Sequence, residues 1–179
     1  MRALERRLQP AVGAMVAMVA MTSCVDTTHD DQVQALGGEA PGVARGPDHR
    51  PNQPCLVCHG GEGPASAQFS VAGTVYAVFK APGPAVGAQV QIEDISGTTI
   101  VAPTNQVGNF YIAARDWQPV YPTQMQVSLG AATEQMLTHV GREGSCAACH
   151  QSTIGPGSPG PVYAATDMSQ LLGDGGTGP

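Results

Sequence analysis

One five-residue pattern occurs twice in this chain of 179 residues, as Cys55-Leu56-Val57-Cys58-His59 and as Cys146-Ala147-Ala148-Cys149-His150. Two thiols three positions apart, with histidine next in line, match the attachment sequence of a c-type haem. The spacing has a covalent reason. The two thiols add across the two vinyl groups of the porphyrin, and the adjacent histidine then lies under the ring, where it ligates the iron. From the Cys and His content, one copy is expected by chance about 0.004 times per chain and two about 10⁻⁵ times. The repeat therefore outweighs every other signal. It predicts two covalent haem c groups, on Cys55 and Cys58 and on Cys146 and Cys149, with His59 and His150 as proximal iron ligands.

Two other chemistries use such pairs. A thioredoxin-type Cys-x-x-Cys sits in a βαβ setting, and no such pattern surrounds either copy. A tetrahedral zinc site could draw on Cys55, Cys58, Cys146 and Cys149, but 87 residues separate the pairs, against about 15–20 in compact zinc ribbons.

The N-terminus predicts export. Arg2, Arg6 and Arg7 precede an apolar run from Ala11 to Met21, the length of a signal-peptide core and too short to cross a bilayer. Met21-Thr22-Ser23-Cys24 is similar to the lipobox of bacterial lipoproteins, although Met stands where Leu is usual. That similarity implies cleavage after residue 23 and a lipid on Cys24, the one cysteine of five outside the haem motifs. Ordinary cleavage nearby is the alternative. The residues after Arg6-Arg7 do not match a twin-arginine signal. Export and haem attachment agree, since c-type haems are attached outside the cytoplasmic membrane. Without residues 1–24, 13 acidic residues face 5 basic ones, a net charge of −8, which argues against nucleic acid as a partner.

Residues 24–48 are polar, acidic and carry Gly and Pro, with no apolar periodicity, and read as a flexible tether. Residues 49–66 hold the first motif. From Phe69 the pattern has period two: Val71, Gly73, Val75, Ala77 and Phe79 on one face, Thr74, Tyr76 and Lys80 on the other. Pro82-Gly83-Pro84 ends that strand. Ala88, Val90 and Ile92 alternate with Gln89, Gln91 and Glu93, a strand with one wet face. Turns at 94–97 and 104–109 separate further strands at 98–102 and 110–112, and Met125, Val127 and Leu129 alternate in another. Residues 67–131 thus predict an antiparallel β-sandwich. Residues 132–172 carry the second motif, with a short helix expected over 131–140, and 173–179 form a disordered tail.

Ala72-Gly73-Thr74-Val75-Tyr76, Val86-Gly87-Ala88-Gln89-Val90 and the run from Thr104-Asn105 to Gly108-Asn109-Phe110-Tyr111 resemble the carboxypeptidase regulatory-like family. The resemblance covers residues 69–130 and implies a small prealbumin- or Ig-like sandwich, usually a structural or interaction module. A haem motif on each side of such a module resembles exported, lipoprotein-like multihaem proteins of Gram-negative bacteria. The expected class is all-β, a small sandwich flanked by loop-rich haem segments.

The sixth iron ligands are drawn from few residues. His49 lies six positions before Cys55, and His139 seven before Cys146, so each is a candidate, with a solvated loop histidine as the plain alternative. His29 falls in the tether. Met125 reads as core, while Met136 and Met168 compete as thioether ligands. No nucleophile–base pair or phosphate loop stands out, and the adjacent acids Glu93-Asp94 and Asp30-Asp31 read as solvated. The expectation is a dihaem electron carrier rather than an enzyme, working with redox partner proteins in the periplasm or at the outer membrane. The alternatives are a peroxide-reducing or gas-sensing haem with an open iron position, and a surface interaction module whose Cys pairs bind zinc or form disulfides.

Overall fold

Val90 and Ile92 are almost fully buried while Gln89 and Glu93 face solvent, so the alternation in sequence becomes the inner and outer face of a strand. A computed structural model describes residues 26–173 apart from residue 80, without the side chain of Pro82. The signal peptide, the lipid on Cys24, the placement of Lys80 and the tail beyond residue 173 lie outside the described residues.

Among the described residues, eight strands make two four-stranded sheets. They are β1 (Phe69–Val78), β2 (Ala81–Pro84), β3 (Gln89–Asp94), β4 (Thr99–Pro103), β5 (Asn109–Ala113), β6 (Thr123–Leu129), β7 (Ala132–Gln135) and β8 (Val162–Ala165). One sheet runs β2-β1-β5, with β8 joined to β1 in parallel, and the other runs β4-β3-β6-β7. Both sheets contribute to one core: Val71 and Val75 of β1, Phe110 and Ile112 of β5 and Ala164 of β8 cluster with Val90, Ile92, Met125 and Val127. Among the described residues there are also four short helices: α1 (Thr27–Ala35), α2 (Cys55–His59), α3 (Cys146–Cys149) and α4 (Met168–Leu172). No helix among the described residues is long and apolar enough to cross a membrane.

Several expectations need correction. Thr74, on the face opposite Val71 and Val75, is buried as they are, because β1 lies inside its sheet and the Thr74 hydroxyl donates to Asn109 Oδ1 at 2.7 Å. Pro82-Gly83-Pro84 does not end the pairing. It folds back as β2, with Pro84 opposite Tyr76, at a position where a residue without an N–H is tolerated. The helix expected over 131–140 is replaced by β7, which pairs with β6 from Gln126↔Gln135 to Leu129↔Ala132. Both sheets therefore extend past residue 131 into the segment that carries the second Cys-x-x-Cys-His copy, through β7 and β8. The stretch read as a tether contains α1, capped by the Asp26 carboxylate, which accepts from His29 N at 3.1 Å. Capping explains the helix better than packing does, since none of its residues is buried. Asp94 is likewise buried, not solvated. Its carboxylate accepts from the Ser96 hydroxyl and from the N–H groups of Ser96, Thr98 and Val120, bonds that hold it below the usual carboxylate range.

At the turn into β5, Gly108 has φ +81, and a Cβ there would lie 2.2 Å from Val75 O. The backbone can approach only without a side chain, and Val75 N then donates to Gly108 O at 2.9 Å.

Candidate functional site

The two Cys-x-x-Cys-His copies are 87 residues apart in sequence yet dock on the same strand. Helix α2 carries Cys55 to His59 and α3 carries Cys146 to Cys149, and both pack against β1. Pro54 caps α2; with φ set by its ring it cannot continue a helix backwards, which starts the turn at Cys55. The second copy reaches β1 through Ser145, which bridges to Ala72 in parallel register while Ala72 N donates to Gly144 O at 2.9 Å. Gly73 leaves the space that Cys146 uses: a Cβ there would lie 2.6 Å from Cys146 Sγ. A Cβ on Gly144 would lie 3.0 Å from Leu56 Cδ2 in the first copy. The copies are therefore neighbours, not opposite ends of the β-module.

The motif histidines share one arrangement. His59 Nδ1 bonds Ala67 O at 2.7 Å and His150 Nδ1 bonds Gly160 O at 2.9 Å. Each ring spends Nδ1 on a backbone carbonyl, the kind of partner that fixes tautomer and orientation in metal-ligating histidines, and its Nε2 has no hydrogen bond among the described residues. The ring of His59 is also stacked on Phe69, with centroids 4.4 Å apart, and Phe69 on Tyr111 at 4.6 Å.

Cys146, Cys149 and His150 line a cavity of about 370 Å³ between the sheets, within the size range of small-molecule and cofactor sites. Val75, Phe110, Met125, Val127, Met136 and Val162 make its wall mainly apolar. Ser145, also in the wall, has a buried hydroxyl with no partner among the described residues. An apolar cavity with two thiols, an oriented imidazole and an unpaired hydroxyl fits a flat macrocycle that carries polar groups on its rim. A second hollow, of about 510 Å³, lies beside the first copy and is lined by Leu56, Gly60, Phe69, Tyr121 and His29.

Burial pushes the Cys55 thiol up to about 11, with Cys58 nearby adding to it. It pushes Cys146 up to about 12, with Cys55, Glu143 and Cys149 adding to it. The leading thiol of each copy is thus the reverse of an activated redox cysteine, whose pKa is lowered. Among the described residues, no group of three or more His, Cys, Asp and Glu is arranged to hold a metal ion. A consequence can be measured on protein made without haem attachment. Cys55 is expected to alkylate at pH 8 on the order of 100-fold more slowly than in urea and Cys146 on the order of 1,000-fold, because their thiolate fractions are about 10⁻³ and 10⁻⁴ against about 10⁻¹ for an unfolded thiol. The rate should rise about tenfold per pH unit up to pH 11. Mass spectrometry of labelled peptides checks this, and equal rates with and without urea would contradict it.

The candidate sixth ligands separate. His49 is partly buried, 5.9 Å from His59 between ring centroids. His139 is exposed and not among the residues lining the cavity at the second copy, whereas Met136 and Met125 are. Met168 is exposed. His29, expected to be solvated, is half-buried with its Nε2 enclosed, because α1 lays it over the hollow beside Leu56. Sequence reading missed Glu39 and Arg50. Burial pushes the Glu39 carboxyl up, but hydrogen bonds from His49 and Arg50 prevail and hold it below its ordinary value. Their only signal was opposite charge on either side of a Gly/Pro-rich stretch.

No protein-family model, no curated protein and no solved structure matches this chain.

Proposed function

We propose that the chain is a dihaem c-type cytochrome, an exported electron carrier rather than an enzyme, tethered to a membrane through a lipid on Cys24. The observation that carries this reading is the matched pair of motif histidines, each with Nδ1 on a backbone carbonyl and Nε2 left over. Cys55 and Cys58 would hold one haem, Cys146 and Cys149 the other. Each haem supplies one-electron exchange between ferric and ferrous iron. The chain's own part is to fix the group covalently, orient the imidazole and exclude water with the apolar wall around Val75, Phe110 and Val127. The two sheets serve as an Ig- or prealbumin-like sandwich, in keeping with the likeness to carboxypeptidase regulatory-like modules. Because both copies dock on β1, the haems are a neighbouring pair suited to passing electrons between redox partner proteins in the periplasm or at the outer membrane.

One specific feature favours a second reading at the second copy only. His150 is the one histidine among the described residues that line its cavity, and His139 is exposed, so an iron held there would have no second imidazole and could keep an open position, as in a peroxide-reducing enzyme or a gas sensor. The ferric spectrum separates the two, since a low-spin signal from both haems removes the open position.

The deciding experiment is a pyridine haemochrome assay with intact mass of the exported protein. Two haem additions are expected. A mass with none ends the cytochrome reading, and the same spectrum reports whether Cys24 carries lipid.

A further inference from the structure

His49 stands on a turn whose backbone is strained and then tied down. Arg50 and Asn52 have φ of 50 and 60, a left-handed conformation that costs free energy for residues other than glycine. Such strain persists only where the surroundings over-determine it, and here they do. Asn109 Nδ2 donates to Pro47 O at 3.2 Å and to His49 O at 2.9 Å. Asn52 N donates to Thr74 Oγ1 at 2.7 Å. The Arg50 guanidinium donates to Leu36 O, Gly37 O and Gln53 Oε1. All these bonds serve to hold one turn over the first motif, and the residue it presents there is His49.

The ring of His49 lies 5.9 Å from that of His59, at 78° to it. An Fe–N bond of about 2 Å on either side of one iron would put two imidazole centroids about 6 Å apart. Both rings have Nδ1 engaged, His59 with Ala67 O at 2.7 Å and His49 with Glu39 Oε1 at 3.2 Å. Both keep Nε2 for a metal. Glu39 Oε1 also accepts from Arg50 Nε at 3.2 Å, so the carboxylate is held by the strained turn it steadies.

We propose that His49 is the sixth ligand of the iron held by His59, and that Glu39 is the positioning residue that orients His49 and tunes that iron. This rests on the dihaem reading. A carboxylate on Nδ1–H makes an imidazole a stronger donor than a backbone carbonyl does, which favours the ferric state. His49 thus makes the first haem bis-histidine with one charged partner, while the exposed His139 gives the second haem no equivalent. The two haems are inequivalent, and the first has the lower potential.

The test uses the exported, haem-loaded chain. Pyridine haemochrome first establishes two haems; their absence overturns the cytochrome reading and this proposal together. With two haems present, electron paramagnetic resonance of the ferric protein isolates the proposal. His49→Ala is expected to turn one haem high-spin and leave the other unchanged, with added imidazole restoring the low-spin signal. His49→Met, which keeps a ligand for a chain that needs one to fold, should stay low-spin and raise the potential of one haem only. Glu39→Gln should keep the bis-histidine signal and raise the same haem's potential, which a merely structural role would not do. Unchanged spectra in His49→Ala, or the same conversion in His29→Ala or His139→Ala, overturn the assignment.

Discussion

Replacing Cys146 and Cys149 together with alanine is expected to halve the haem content and remove one haem from the intact mass. The haem on Cys55 and Cys58 should remain, because α2 is built by its own cap at Pro54 and by the turn that Asn109 and Thr74 hold. The effect on stability should be large as well. In the proposed holoprotein the cavity of about 370 Å³ is filled by the second haem. An unfilled apolar cavity costs about 24 cal/mol per Å³, so even half-collapsed it leaves the variant on the order of 4 kcal/mol less stable. Urea melts of the two loaded proteins measure the difference. A variant that keeps both haems, or loses both, would contradict the assignment of one motif to each.

Gly144→Ala is the second large effect. A Cβ at Gly144 would lie 2.0 Å from Ser70 O and 3.0 Å from Leu56 Cδ2. The first is backbone of β1 and cannot rotate away. Relief requires the 144–145 segment to leave β1, which breaks the Ala72 N to Gly144 O bond and carries Cys146 with it. Overpacking of this kind costs about 3 kcal/mol. Because Leu56 sits between Cys55 and Cys58, the midpoint potentials of both proposed haems should move. Gly141→Ala is the matched control, since nothing lies within 4 Å of its Cβ position; its melt should coincide with that of the parent chain.

The legible parts of this fold share one property: their cause is local. Val90 and Ile92 alternate with Gln and Glu because a strand of period two has one wet face, and β3, β5 and β6 fall where that pattern put them. The hairpin at Asp94 and the turn around Gly108 follow from side chains that bond their own backbone or have no Cβ. The misread parts depend on partners far away in sequence. Thr74 lies on the face opposite Val71 and Val75, and it is buried because Asn109 and Asn52 meet it there. Residues 132–135 form a strand because β6 offers an open edge. Pattern alone cannot see either neighbour. Helix α1 escaped notice for another reason: it has a cap but no apolar stripe, and the stripe was the signal sought.

The same division runs through the candidate site. The repeated Cys-x-x-Cys-His is legible within five residues, and the haem attachment proposed for it needs only the spacing of two thiols and an imidazole. The relation between the copies has no such local cause. Their meeting on β1 comes from backbone pairing at Ala72 and from the missing side chains of Gly73 and Gly144. The proposed choice of His49 over His139 rests on a strained turn tied to Thr74, Asn109 and Glu39. Covalent spacing is a property of the chain, whereas proximity and orientation are settled by hydrogen bonds and close contacts between segments that the chain order keeps apart.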